Sequence, residues 1–184
     1  MCGRFYCDED ENERILTLYK KAREKYPEND ISSGDIYPGD IVPILDNKSD
    51  ICINKWGLEN PYKKNAIIIN SRSETINQKF KDYFENKRIV IPCSGYYEWN
   101  DKKEKYYFNL DSREVLFMCG ISTGSSPNDR FSIITREASD NLKMIHNRMP
   151  LILEEKSVNK YLLDNDFAKY ILSTGIENIT YSKC

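Results

Sequence analysis

RIVIPCSGYYEWNDKKEKYYFNLDSREVLFMCGISTGSSPNDRFSIIT, residues 88–135, reads as five strands in a row. Arg88–Pro92, Tyr96–Trp99, Lys105–Leu110, Val115–Ile121 and Phe131–Thr135 are short runs rich in Ile, Val, Tyr and Phe, the residues that fit a pleated surface. Turn-like connections separate them. Asn100-Asp101-Lys102-Lys103 and Asp111-Ser112-Arg113 are the tightest. Helical periodicity is scattered around this block and never alternates with strands as βαβα. The pattern predicts an α+β fold with a largely antiparallel sheet.

Outward from the block, Asp8 followed by Glu11 is a helix-start pattern. Ile15, Leu16, Leu18, Tyr19, Ala22 and Tyr26 then fall near one helical stripe ahead of Pro27. Asn29 to Asp40, with Pro38-Gly39, reads as a loop. Ile41–Leu45 and Ile51–Trp56 are predicted strands of a hairpin turning through Asp46-Asn47-Lys48. Ala66–Asn70 is an apolar run expected to be one buried strand that delivers Asn70 to a surface. Ser73 is placed to cap a helix carrying Ile76, Phe80, Tyr83 and Phe84. Beyond the block, Glu137–Ile145 is a candidate short helix and Leu151–Leu153 a strand. Val158–Leu163 and Phe167–Leu172 are predicted helices. With no repeat, low-complexity segment or Pro/Gly/Ser-rich linker, residues 1–184 are expected to form a single domain.

The chain carries 27 Lys+Arg against 29 Asp+Glu, a formal charge of −2, which argues against coating nucleic acid by bulk electrostatics. A local basic groove stays open. Hydrophobic residues at 40% and charged residues at 30% exclude wholesale disorder. Apolar runs such as Ala66–Ile69 and Val115–Met118 are too short to span a bilayer, and MCGRFYCDEDENER lacks an apolar signal core. A cytoplasmic protein without a membrane partner is expected. Of the cysteines, Cys2, Cys7, Cys52, Cys93, Cys119 and Cys184, none forms a CxxC pair, and His146 is the only histidine. That spacing does not suit a zinc site, and no metal or cofactor is expected. Cys52, Cys93 and Cys119 sit in strand-like segments and are expected as small core residues.

Chemistry concentrates at four places. Met1 precedes a small residue, so aminopeptidase removal would expose Cys2. A terminal cysteine carries an α-amine with a reference pKa near ~7.7 and a thiol near ~8.5. It can act as a thiol nucleophile. It can also condense with an aldehyde through the amine and close a thiazolidine ring through sulfur. Asn70 ends an apolar strand, and Arg72 follows just before a predicted helix start, a combination able to hold an anion. Glu98 lies between aromatics, where desolvation would raise its pKa and suit proton transfer. His146 stands two residues before Arg148. Each feature also has an ordinary structural reading: a frayed terminus, a capped helix with a solvated Arg, an outward Glu, a core His.

Met1-Cys2-Gly3-Arg4-Phe5, Asn70-Ser71-Arg72-Ser73-Glu74-Thr75, Pro92–Trp99 and His146-Asn147-Arg148-Met149-Pro150 together resemble, in order, the four signature motifs of the SOS response-associated peptidase (SRAP) family. The resemblance implies a barrel-like β core flanked by short helices. It implies a role in the DNA damage (SOS) response: binding single-stranded DNA that holds an abasic site, and cross-linking covalently to it through Cys2. Autoproteolytic, lyase or cross-link reversal activity is implied with it. Cys2 would be the covalent residue, Asn70 would orient the terminus or the sugar, and Glu98 would shuttle protons. His146 would assist sugar-ring opening. Arg4, Arg72 and Arg148 would hold phosphates, and Pro38 would wedge beside the lesion. Trp56 and Trp99 are both expected in the core, since Trp is mostly buried. Where the family often has an aromatic-rich segment after its Trp-Gly pair, this chain offers Tyr62, Lys63 and Lys64. Many relatives continue beyond the position of Cys184 with a basic tail. A monomer is expected. The competing readings are a thiol peptidase or amidase with an N-terminal nucleophile, needing no DNA, and a plain single-strand-binding module in which Cys2 is incidental.

Overall fold

The computed structural model describes residues 2–10, 12–110, 114–176 and 179–184, so the Asp111-Ser112-Arg113 connection lies outside the described residues. The first half supplies strands β1 (Arg4–Cys7), β2 (Gly34–Ile36), β3 (Ile41–Leu45), β4 (Ile51–Trp56), β5 (Leu58–Glu59), β6 (Ile67–Ile68) and β7 (Asn70–Arg72). Helix α1 (Glu13–Lys25) follows β1, and the short α2 (Ile76–Lys79) and α3 (Lys81–Asn86) follow β7. The second half supplies β8 (Arg88–Cys93), β9 (Gly95–Trp99), β10 (Lys105–Asn109), β11 (Leu116–Ser122), β12 (Arg130–Glu137), β13 (Arg148–Pro150) and β14 (Ile152–Leu153). Helices α4 (Val158–Leu163) and α5 (Asn165–Ile171) and strand β15 (Thr180–Lys183) come last. The five strands read from residues 88–135 and the β3–β4 hairpin are all present, and the fold is α+β.

Five strands close on themselves. β3 pairs with β4, β4 with β12, β12 with β11, β11 with β8, and β8 again with β3. Only the β4–β12 step of this ring is parallel. Closure leaves the ring without exposed edges. Every residue of β8 and β11 is buried, because their inner faces fill the barrel while helices α3 and α4 pack outside. A second, antiparallel sheet has the order β15-β10-β9-β1-β2. It joins the barrel through Phe5, whose ring lies 5.0 Å from Trp56, and Trp56 stacks on Phe131. The indole Nε1 donates to Ile69 O at 3.0 Å. Trp56 is therefore core, as expected.

Several elements differ from the sequence reading. The cap of α1 is Asn12, whose side chain accepts from the N–H groups of Arg14 and Ile15. β1 keeps the chain extended through Cys7, and Asp8 closes a local turn on the Asp10 N–H. Ala66–Asn70 is not one buried strand. β6 pairs with β5, β7 pairs with β12, and Ile69 between them spends its carbonyl on Trp56 Nε1 and the Ile133 N–H. Ile67 is consequently exposed. Ser73 caps nothing. It opens a 3-10 turn, and the non-helical backbone of Phe80 (φ −136°, ψ 32°) splits the helix so that Ile76 and Phe84 both turn inward. Glu137–Ile145 is not a helix: β12 continues to Glu137, which pairs with Arg148, and the Ala138 N–H bonds to Asn147 O, extending the ladder. The polar Thr180–Lys183 gives no strand signal of its own, yet β10 captures it.

Cys52, Cys93 and Cys119 are buried as expected, and so are Cys2 and Cys7, whereas Cys184 is exposed. No helix among the described residues is long and apolar enough to cross a membrane.

Arg88 is buried in β8 with no carboxylate partner among the described residues. Its guanidinium donates to the carbonyls of Phe84 (2.6 Å), Tyr161 (2.7 Å) and Leu162 (2.9 Å) and to Asn165 Oδ1. One side chain thus satisfies the C-terminal carbonyls of α3 and α4, which no helix can satisfy internally. Arg88→Met should destabilise the fold by roughly 3 kcal/mol, since buried carbonyls left unpaired cost ~1–3 kcal/mol each. Thermal denaturation should show a midpoint lower by about 10 °C. An unchanged midpoint would mean that those carbonyls find other partners.

Candidate functional site

Cys2 lies one residue, Gly3, ahead of β1 and is wholly buried. Its carbonyl accepts a hydrogen bond from Asn70 Nδ2 at 2.8 Å. Asn70 starts β7 in parallel register with Ile133, so the barrel wall fixes this amide. The Cys2 thiol points at Arg4 O, 3.7 Å away.

Glu98 arrives on β9. The strand alternation turns Tyr96 and Glu98 inward and leaves Tyr97 and Trp99 outward. Glu98 is 3% exposed. Burial pushes its carboxyl above the ordinary carboxylate range, while the charge of nearby His146 pulls the other way. Burial, and then the neighbouring Glu98, push the Cys2 thiol well up, so its resting form is the thiol. The same alternation corrects the expectation for Trp99, which is 37% exposed rather than core.

His146 completes the group. The Arg148 N–H donates to its Nδ1 at 3.0 Å. The Arg148 carbonyl lies 3.2 Å from the same nitrogen. These two backbone contacts hold the ring in place through Nδ1. Cys2, Asn70, Glu98 and His146, far apart in sequence, meet at the seam between barrel and sheet.

The three arginines differ. Arg4 is ion-paired with Asp35 and lies over the rings of Tyr37 (4.9 Å) and Tyr97 (5.0 Å). Arg148 places its fork on both oxygens of Glu74 (2.5 and 3.0 Å) and donates to Thr135 O at 2.6 Å. The bond to Arg148 holds the Glu74 carboxyl below its usual range. Arg72 is exposed and unpaired among the described residues. It borders an open cleft of about 510 Å³ with Glu74, His146 and Arg148. Pro38 sits half-buried at the second position of the turn Tyr37-Pro38-Gly39-Asp40. The Asp40 N–H bonds to Tyr37 O at 3.0 Å, and Gly39 has φ +103°, a value that favours glycine. The Gly39 N–H bonds to Trp56 O, tying this turn to the barrel beside Arg4.

Reading the sequence missed the carboxylates Asp35 and Glu74. Glu74 stood inside a quoted motif, but nothing in the sequence pairs it with Arg148 across 74 residues. Among the described residues no group of three or more His, Cys, Asp or Glu is arranged to hold a metal ion.

A family model described as SOS response associated peptidase (SRAP) matches residues 1–179. The chain is 30% identical to the abasic site processing protein YoaM of Bacillus subtilis (strain 168), over 88% of this chain and 79% of that one. It is 27% identical to the abasic site processing protein YedK of Escherichia coli (strain K12), over the same shares. A crystal structure of a Bacteroides thetaiotaomicron protein has the same fold, with a TM-score of 0.75 at 20% identity, covering 99% of this chain and 91% of that one.

Proposed function

Because the chain belongs to the SOS response associated peptidase (SRAP) family, we propose that it processes abasic sites in single-stranded DNA, closing a thiazolidine cross-link through Cys2 after Met1 is removed. The abasic site processing named for two relatives supports this substrate. The observation that carries the reading is the burial of Cys2 against Glu98, with its carbonyl held by Asn70.

That arrangement supports one order of steps. A thiol held in its protonated form is a weak opening nucleophile. The α-amine of Cys2 attacks first. Its nitrogen bonds to the aldehyde carbon of the ring-opened sugar, and the carbonyl oxygen leaves as water, giving an imine. The two amine hydrogens leave with that oxygen in the water, and His146 steadies the sugar oxygen by a hydrogen bond. Sulfur then bonds to the imine carbon while the thiol proton passes to Glu98 and on to the ring nitrogen. The net change is loss of one water. Glu98, raised by burial toward neutrality, can both accept and return that proton. Asn70 holds the Cys2 carbonyl so that amine and thiol face one carbon.

Arg72 offers the exposed cation for a phosphate beside the site, and Arg4 and Arg148 reach phosphates by exchanging Asp35 and Glu74 for them. Arg72→Ala should weaken binding to all single-stranded sequences alike and reduce the salt slope by about 0.7, one phosphate contact on a single strand. A change in sequence preference, measured by fluorescence anisotropy across several oligonucleotides, would reassign it to base readout.

Intact mass, before and after incubation with an oligonucleotide holding one abasic site, tests the whole reading. The expected product is the chain without Met1 plus oligonucleotide less one water. A chain lacking Met1 that forms no adduct would direct attention to amide hydrolysis by an N-terminal thiol.

A further inference from the structure

The outer face of the β15-β10-β9-β1-β2 sheet carries a cluster that the reaction above does not use. Tyr6 of β1, Tyr97 of β9 and Tyr107 of β10 stand on adjoining strands, with Tyr97 directly opposite Arg4 on one side and Tyr107 on the other. The Tyr97 and Tyr107 rings lie 5.1 Å apart, and Tyr6 meets Tyr107 edge-on at 6.4 Å. They wall a concavity of 230 Å³ that Asp8, Ser94 and Asn109 also line. Gly95 makes room for it: a Cβ there would come within 2.5 Å of the Tyr107 ring and hydroxyl.

Cations flank the concavity. Lys105 Nζ lies 3.9 Å over the Tyr97 ring and forms no ion pair among the described residues. Arg4 touches both Tyr97 and Tyr37, so a strip of alternating rings and cations runs from the Pro38 turn to the concavity. Neither the Tyr97 nor the Tyr107 hydroxyl has a hydrogen-bond partner among the described residues. Burial, then Asp35, push the Tyr97 phenol up to about 12, and burial raises Tyr107 too, so both donate at any working pH. Asn109 uses its Oδ1 on Thr180 and keeps its amide hydrogens.

Aromatic walls, unpaired donors and an adjacent unpaired ammonium suit a flat ring with acceptor atoms and a phosphate attached. A volume of 230 Å³ falls below the ~300–1,000 Å³ of drug-sized pockets and fits one base with its sugar. Tyr6 is four residues beyond Cys2, roughly 13 Å along an extended chain, which a flanking nucleotide can span.

We propose that the Tyr6–Tyr97–Tyr107 concavity is a base-binding subsite, taking one nucleobase of the strand that flanks the lesion and its phosphate beside Lys105. The inference rests on the single-stranded DNA reading. It extends that reading to a position outside the reacting group, where stacking on aromatic side chains tolerates any base.

The test is a double-mutant cycle by fluorescence anisotropy. The DNA carries an unreactive tetrahydrofuran abasic analogue, and one further base is removed at each flanking position in turn. Wild type should lose about tenfold in affinity at one position, the magnitude of one stacked base. Tyr107→Leu should bind the full oligonucleotide about tenfold more weakly and lose nothing further at that position. Tyr107→Phe, which keeps the ring, should retain most of the affinity. Tyr6→Leu is the second variant, should Tyr107→Leu fail to fold. Independent, additive losses, or a Leu variant that binds like wild type, would overturn the subsite. Adduct yield on a reactive abasic oligonucleotide at saturating DNA separates the two levels of inference. If wild type cross-links and shows no coupling, only the subsite falls. If wild type neither binds nor cross-links, the DNA reading falls with it.

Discussion

Cys2→Ser should abolish the stable cross-link while leaving reversible binding of undamaged single-stranded DNA unchanged. The substitution keeps the α-amine, so the imine can still form, but the hydroxyl replaces the sulfur that closes the ring. Its adduct should therefore fall apart on heating or reverse by hydrolysis, whereas the wild-type product should survive denaturing electrophoresis. Sodium borohydride provides the internal control, because reduction of the imine should trap Cys2→Ser on the DNA. A Cys2→Ser adduct as stable and abundant as the wild-type one, without reduction, would contradict ring closure by sulfur. The fold should tolerate the change, because serine is close to cysteine in shape and slightly smaller, so it enters the buried Cys2 site without a clash.

Glu98→Gln should slow cross-link formation by roughly 10²–10⁴-fold, the usual contribution of a positioned acid or base. The amide keeps size and polarity and loses only the titration. Burial raises the Glu98 carboxyl above the ordinary 4.5, so the fraction able to accept the thiol proton grows as pH climbs through that raised value. The wild-type rate should therefore increase with pH along a limb lying above 4.5, and the limb should vanish in Glu98→Gln. Stability runs in the opposite sense. A carboxyl with a raised folded pKa contributes its stability in full below the ordinary value and loses it as pH rises through the folded one. At neutral pH, then, Glu98→Gln should be as stable as wild type or more so, as expected where a residue serves chemistry at some cost to the fold. A less stable Glu98→Gln with an unaltered rate profile would make Glu98 structural.

The strand block and the hairpin were legible because period-2 patterning and turn residues are local signals. Elements decided by distant partners were not. Thr180–Lys183 is a strand only because β10 offers an edge. The apolar run 66–70 divides because Trp56 and Ile133 both take the carbonyl of Ile69. Propensity speaks for neither. The site followed the same division. Motifs identified Cys2, Asn70, Glu98 and His146, and period 2 could have turned Glu98 inward together with Tyr96. The placement of Arg148 on Glu74 and of Arg4 on Asp35 depends on tertiary packing. The exposure of Trp99 was the reverse of what its residue type suggests, since its strand had already given the inward position to Glu98.

The burial of Cys2 also imposes a schedule. An aminopeptidase needs a free, extended terminus, and Cys2 loses that freedom once β9 docks on β1. Residues 95–99 leave the ribosome about 95 residues after Cys2, on the order of 5–20 s later at ordinary synthesis rates of ~5–20 residues per second. Barrel closure comes later still, because β4 must wait for β12, and pairing across such separations is slow. On the proposed mechanism, exposure of the Cys2 amine is thus a race that the topology favours: the terminus stays open to trimming through early synthesis and is sealed by the strand that carries Glu98. Faster folding would not help this protein, and a chain refolded with Met1 still attached should remain unreactive however native its fold.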